Sequence, residues 1–145
     1  MVDVNLLVRR SADEAYEAFA DPSRISRFWL ASSSGRLETG AKVHWIFKIA
    51  GAETGVEVVA AEPGKQLDLR WDGGQPVTLT FEARGEHCLV GVRVTDFGDD
   101  EPAAVAVETM SGFTLVLASL KEYLEHGIEG DLMYDKFPDA EYSDR

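Results

Sequence analysis

Cysteine is almost missing from this chain of 145 residues: Cys88 stands alone, so no disulfide can form within it. The three histidines, His44, His87 and His126, are scattered. Without Cys-x-x-Cys pairs or clustered histidines a structural zinc site has no ligand set, and no metal is expected. Basic residues are scarce as well: 14 Lys and Arg stand against 26 Asp and Glu, a formal net charge of −12. Such a surface repels the phosphate backbone on which nucleic-acid affinity rests, so DNA and RNA are excluded as partners. No stretch approaches the ~20 consecutive apolar residues of a membrane span, and the apolar part of residues 2–10 is too short for a secretory signal. A soluble, cytoplasmic chain is expected. Gly-x-Ser-x-Gly, His-Glu-x-x-His, a phosphate-binding glycine loop and a calcium loop are all lacking, so no cofactor and no catalytic residue is assigned.

What is present reads as one α+β domain over residues 1–145, with a core at about 2–127 and a tail at 128–145. About 150 residues form one domain that buries roughly 70% of its unfolded surface, enough for a core without staples. Val2, Val4, Leu6 and Val8 alternate with polar neighbours and predict a first strand. Ser11 and Glu14 form a capping box, in which Ser11 accepts from the Glu14 amide and the Glu14 carboxylate reaches back to the Ser11 amide. The helix that follows carries Tyr16 and Phe19 inward. Asp21 as N-cap and Pro22 at the first helical position start a second, short helix that ends near Phe28 and Trp29.

From Lys42 the period becomes two. Val43, Trp45, Phe47 and Ile49 share one face; Leu67, Leu69 and Trp71, then Val77, Leu79 and Phe81, then Val90, Val92 and Val94 continue the pattern. Pro63-Gly64, Asp72-Gly73-Gly74 and Gly85-Glu86 supply tight turns, so residues 42–96 predict an antiparallel meander. Val56, Val58 and Val59 fit either register, which leaves Glu57 between interior and solvent.

The longest feature is a helix over residues 103–127. Ala103, Ala106, Met110, Phe113, Leu117, Leu120 and Leu124 recur at spacings of three and four and form one apolar stripe, while Glu108, Ser111, Ser119, Glu122 and Glu125 fall elsewhere. At ~1.5 Å per residue it spans roughly 37 Å and needs the meander as its partner. Asp99, Asp100 and Glu101 open it with negative charge at the positive end of its dipole. Gly127 closes it, with Ile128 packing back on Tyr123. Gly112 inside the helix costs about 1 kcal/mol relative to alanine, which predicts a close approach to the sheet or to Trp29, and overpacking in Gly112→Leu. The acidic tail holds Leu132, Met133, Tyr134 and Phe137, which dock on the body or on a second subunit; a homodimer is the simplest form of the latter.

A strand, two short helices, a curved antiparallel meander and a long C-terminal helix follow the element order of the helix-grip fold. The segment Ala12-Asp13-Glu14-Ala15-Tyr16-Glu17-Ala18-Phe19-Ala20-Asp21-Pro22, followed by Phe28-Trp29, resembles the opening signature of the START-like (SRPBCC) superfamily, in particular proteins similar to the activator of heat-shock protein 90 ATPase. Ser111-Gly112-Phe113, Leu117 and Leu120-Lys121-Glu122-Tyr123-Leu124 resemble that family's closing helix, where Gly-Trp commonly stands in place of Gly112-Phe113. The similarity covers about residues 4–126.

The resemblance implies a curved antiparallel sheet wrapped around the long helix, with a cavity between them suited to a lipid or an aromatic or polyketide-like molecule. The cavity lining is expected from Trp29, Trp45, Phe47, Trp71, Phe81, Met110, Phe113 and Leu117, a set that would equally serve as a filled core. Thr109, Thr114, Lys121 and Tyr16 are the polar groups available to orient a ligand. A cyclase or dehydratase acting on such a substrate is the alternative, with Glu57 and Tyr16 as acid–base nominees. The three histidines read as structural or solvent-facing, and Cys88 as an inert thiol. Chaperone activators of the family carry this domain joined to an upstream one, for which this chain has no room; the small-molecule reading is therefore placed ahead of a chaperone-related interaction protein.

Overall fold

Alternating apolar and polar residues build seven antiparallel strands into one curled sheet, a half-barrel closed by a long C-terminal helix. The computed structural model describes residues 1–97 and 102–143; Asp99, Asp100 and Glu101, expected to open the long helix, lie outside the described residues. The elements are β1 (Val2–Val8), α1 (Ala12–Ala20), α2 (Pro22–Ile25), β2 (Leu30–Ser33), β3 (Lys42–Phe47), β4 (Glu53–Glu62), β5 (Gln66–Trp71), β6 (Pro76–Arg84), β7 (His87–Val94), α3 (Pro102–His126) and α4 (Leu132–Asp135). Strand order is β1-β7-β6-β5-β4-β3-β2. The meander is as expected, and β1 returns beside β7.

Edge strand β2 was not expected. Leu30-Ala31-Ser32-Ser33 is short and serine-rich, a composition that reads as loop, and its pairing with β3 slips between Leu30 and Ser32. A bulge between Val58 and Ala60 in β4 resolves the ambiguous register: Val56 and Val58 are buried, while Glu57 and Val59 face solvent. Gly64 has φ +74°, and the Lys65 amide donates to the Glu62 carbonyl at 2.9 Å, as the turn at Pro63-Gly64 requires.

The first helices follow their caps. The Ser11 hydroxyl accepts from the Glu14 amide at 3.2 Å, and the return arm goes to the Ser11 hydroxyl, 3.4 Å from Glu14 Oε1, rather than to the amide. Asp21 Oδ1 accepts from the Ser23 amide at 2.9 Å, with Pro22 opening α2.

Helix α3 departs from the expected stripe in two ways. Phe113, Leu117 and Leu120 are buried, but Ala103 is exposed and Met110 is 45% exposed. The reason is length: 25 residues span roughly 37 Å, while β5, at six residues, covers roughly 20 Å. The N-terminal half of the helix therefore overhangs. Its inward face is also turned toward Val116 and Ser119; Ser119, assigned to the polar side, is buried and donates to the Phe28 carbonyl at 2.7 Å. By length and apolar composition Ala103–His126 suffices to cross a bilayer, a property that the count of consecutive apolar residues did not reveal. Here its C-terminal half is a wall of the core.

Three polar contacts tie that half to β1 and the two residues after it, and a Lys121–Glu125 pair within the helix supports them. Lys121 Nζ donates to the Leu7 carbonyl at 2.9 Å and to Glu125 Oε2 at 2.6 Å; the Arg9 amide reaches Glu125 Oε2 at 3.0 Å, and Arg10 reaches the Glu125 carbonyl at 3.0 Å. Gly127, at φ +66°, closes the helix with its amide on the Tyr123 carbonyl at 2.9 Å. Ile128 is 49% exposed rather than packed on Tyr123.

The tail docks on its own domain. Tyr142 bridges Ile49, the Ser143 amide and hydroxyl donate to the Lys48 and Phe47 carbonyls at 2.7 and 2.8 Å, and Tyr134 is buried with its ring edge-on to Tyr142 at 4.7 Å.

Two expectations follow. Burial opposes ionisation of Glu125, but the Arg9 amide, Lys121 and His126 outweigh it and hold this carboxyl below its usual range. A carboxyl lowered by folding stabilises the fold above its unfolded pKa, about 4.3, and loses that contribution as pH falls through the folded value. Glu125→Gln should therefore cost about 1 kcal/mol at pH 7, with the gap to wild type closing below about pH 4 in urea titrations; a gap independent of pH would contradict this. Burial pushes the Cys88 thiol up to about 11, so native protein at pH 8 should react with a disulfide reagent at least about 100-fold more slowly than unfolded protein.

Candidate functional site

Trp29 follows the turn that ends α2 and enters the space between sheet and helix. Its ring meets Trp45 at 5.0 Å, Phe113 at 5.7 Å, Phe47 at 6.2 Å and Trp71 at 6.5 Å, edge-on or tilted in each case. The strands supply Trp45, Phe47 and Trp71 because period-two alternation aims all three at the concave face. Helix α3 supplies Phe113. Behind them Phe19 touches Phe28, Trp29 and Phe81, and Phe81 touches Tyr16.

Beside this aromatic wall lies a cavity of about 670 Å³. Trp29, Phe47, Trp71 and Phe113 line it, four of the eight residues expected to do so. Trp45 and Leu117 are fully buried and Phe81 nearly so; all three are core behind the wall, because the aromatic rings pack on one another and leave no opening to them. Met110 does not line the cavity either, since its side of the overhanging helix faces outward.

Ile49 and Val94, both on strand faces read from the sequence, line it too, and the rest of the wall comes from residues the stripe and the strand faces did not single out. Val107, Gly112 and Val116 line it from α3, and Gln75 from the turn before β6. Their common signal is position next to Phe113 on the helix or at the end of a strand, which becomes readable only once the rotation of the helix is known. The tail adds Met133, Lys136 and Phe137, and Lys136 Nζ donates to Ser111 Oγ at 2.9 Å across to α3. The strap 128–143 thus closes one side.

Gly112 overturns its expected packing role. A Cβ built there meets nothing within 4 Å; the helix does not approach its neighbours closely at this point, and the space belongs to the cavity.

The polar lining consists of Lys48, Gln75, Glu108, Thr109, Ser111 and Lys136. Thr109 lines the cavity but donates to the Val105 carbonyl of its own helix at 2.8 Å, and Thr114 is exposed and does the same to Met110 at 2.7 Å. Lys121 is held at β1. The acid–base nominees do not reach the cavity: Glu57 is exposed, and Tyr16 is buried against Phe81 at 5.5 Å, its phenol pushed up mainly by burial. His44 is exposed with Nε2 3.6 Å from Glu53, His126 is exposed at the helix end, and His87 stands at the start of β7. Among the described residues no group of three or more His, Cys, Asp or Glu is placed to hold a metal ion. The arrangement offers shape and a largely aromatic wall, with Lys48, Glu108 and Lys136 as the ionisable groups on its lining.

Comparison with known proteins agrees with this geometry. The protein SSP2350 from Staphylococcus saprophyticus is 29% identical, with a TM-score of 0.77 over 88% of this chain and 94% of that one. DynU16, a protein in the dynemicin biosynthetic locus, is 27% identical with a TM-score of 0.78 over 87% of this chain; the match spans 47% of DynU16. The Aha1 dimer from Colwellia psychrerythraea, 19% identical, shares the fold with a TM-score of 0.74 over 88% of this chain and 98% of that one. No curated protein matches the chain. The family described as Activator of Hsp90 ATPase homolog 1-like protein matches residues 9–125. The helix-grip architecture seen here matches that of the family's proteins, and the chain belongs to the Activator of Hsp90 ATPase homolog 1-like family of the START-like (SRPBCC) superfamily.

Proposed function

We propose that this protein is a cytoplasmic small-molecule-binding domain that encloses a lipid or an aromatic or polyketide-like molecule between the sheet and α3. The observation that carries the reading is the cavity of about 670 Å³ walled by Trp29, Phe47, Trp71 and Phe113. Ligand sites of small molecules have roughly 300 to 1,000 Å³, mostly apolar walls and a few polar groups for orientation; here Gln75 and the Lys136–Ser111 pair supply the latter. The four aromatic residues contact the ligand, while Trp45, Phe81 and Leu117 hold them in place. A binding role is preferred to a cyclase or dehydratase because neither Glu57 nor Tyr16 lines the cavity.

Native mass spectrometry of freshly purified protein should find a co-purifying small molecule. An apolar ligand at 100 times its Kd should stabilise the fold by about 2.7 kcal/mol, read as a raised Tm. Phe113→Ala should weaken binding as well as stability. Lipid and aromatic panels that leave Tm unchanged would remove the reading.

A second reading, a homodimer, is favoured by the overhang of α3, where Val107 is 67% and Met110 45% exposed. The relative from Colwellia psychrerythraea is described as a dimer. Light scattering should then give twice the chain mass of 15.9 kDa, and Met110→Glu should return the monomer; a monomer mass for wild type at high concentration would end it.

A further inference from the structure

We infer that Gly112 keeps open the layer into which a flat ring system slides, so that the cavity selects aromatic or fused-ring molecules over flexible acyl chains. The inference rests on the cavity reading above and names its ligand class.

Glycine in the middle of a helix is unfavourable relative to alanine and calls for a compensating reason. Close packing is the usual one, and it fails here, because an added Cβ meets nothing within 4 Å. A break in the helix fails too, since α3 runs unbroken from Pro102 to His126. Gly112 is not in a left-handed conformation either. What remains is the cavity: Gly112 lines it, as do Trp29, Trp71 and Phe113, and an added Cβ would project into open space.

Those rings are fixed by one another. Trp29 lies 5.7 Å from Phe113 at 65° and 6.5 Å from Trp71 at 87°, and Phe47 lies 6.1 Å from Trp71 at 45°. A wall of mutually packed rings cannot widen by turning one of them without losing contacts to the rest. The bare peptide of Gly112 is therefore the place where thickness is available. A ring system needs a layer of contact distance, about 3.5 to 4.0 Å between carbons, and a branched side chain at position 112 would occupy that layer. A flexible acyl chain can bend around such a side chain; a rigid plane cannot.

The test uses Gly112→Ala and Gly112→Val with two probes, 2-naphthol and 1-decanol, each titrated calorimetrically. Gly112→Ala should raise Tm by about 3 °C through helix propensity. Gly112→Val should remain folded and weaken 2-naphthol binding about 10-fold or more, with a smaller loss for 1-decanol. Unchanged 2-naphthol affinity in folded Gly112→Val, or equal loss for both probes, overturns this inference and leaves the cavity reading standing. A lowered Tm in Gly112→Ala overturns it as well, because glycine would then be serving packing. Failure of both probes to bind the wild-type chain removes the cavity reading and this inference with it.

Discussion

Trp29 joins the two layers of the molecule. Its indole is 6% exposed and touches rings from β3, β5 and α3, while Phe19 presses on it from α1. A curled sheet and a single helix leave a wedge between them that aliphatic side chains alone fill poorly. Stacked edge-on rings fill it with large area and defined angles, and each such pair adds about 0.5 to 1.5 kcal/mol beyond burial. The position of Trp29 is set by Asp21 and Pro22, which start α2, and by the Ser119 hydroxyl, which holds the Phe28 carbonyl next door. Local capping chemistry therefore fixes the tryptophan, and the tryptophan sets how far the helix stands from the sheet.

Below Trp29 the interior is solid: Leu117, Leu120, Phe28 and Tyr16 are almost fully buried, Lys121 stitches the helix to Leu7 of β1, and Glu125 holds Arg9 and Arg10 just after it. Toward the N-terminal half of α3 the packing opens into the cavity, and on the side away from it Val105 and Met110 are exposed. One helix thus serves as core wall, cavity wall and outer surface along its length. The acidic composition bears on none of these, since charge of one sign sits mainly on surfaces and speaks to partners rather than to fold.

The architecture was legible because its signals are periodic. Val43-Trp45, Leu67-Leu69-Trp71 and Val90-Val92-Val94 declare strands, Pro63-Gly64 and Gly85-Glu86 declare hairpins, and Leu117-Leu120-Leu124 declares a helix. Signals without a period were missed: β2, built from Leu30 and serines, and the rotation of α3 that buries Ser119 and turns Met110 outward. The site was half legible. Trp29, Phe47, Trp71 and Phe113 are aromatic residues on inward faces, but inward direction does not separate a wall from the core behind it, which is why Trp45, Phe81 and Leu117 were grouped with them. Gly112 was read as a packing device because a sequence records the cost of a helical glycine without recording what occupies the space beside it. The strap contributed Met133, Lys136 and Phe137 from a segment whose docking place depends on the finished fold.

The unequal filling along α3 also bears on how this scaffold can change. Residues that hold the domain together are concentrated around Trp29 and its ring partners, Leu120, Lys121 and β1, whereas the non-aromatic residues that shape the hollow lie at strand ends, on the overhanging turns and in the strap. Substitutions in the second group disturb few of the contacts that keep the chain folded, so the hollow can drift in volume and polarity while the framework persists. A lineage built on this plan can acquire new guests by small steps, each tolerated before it is useful.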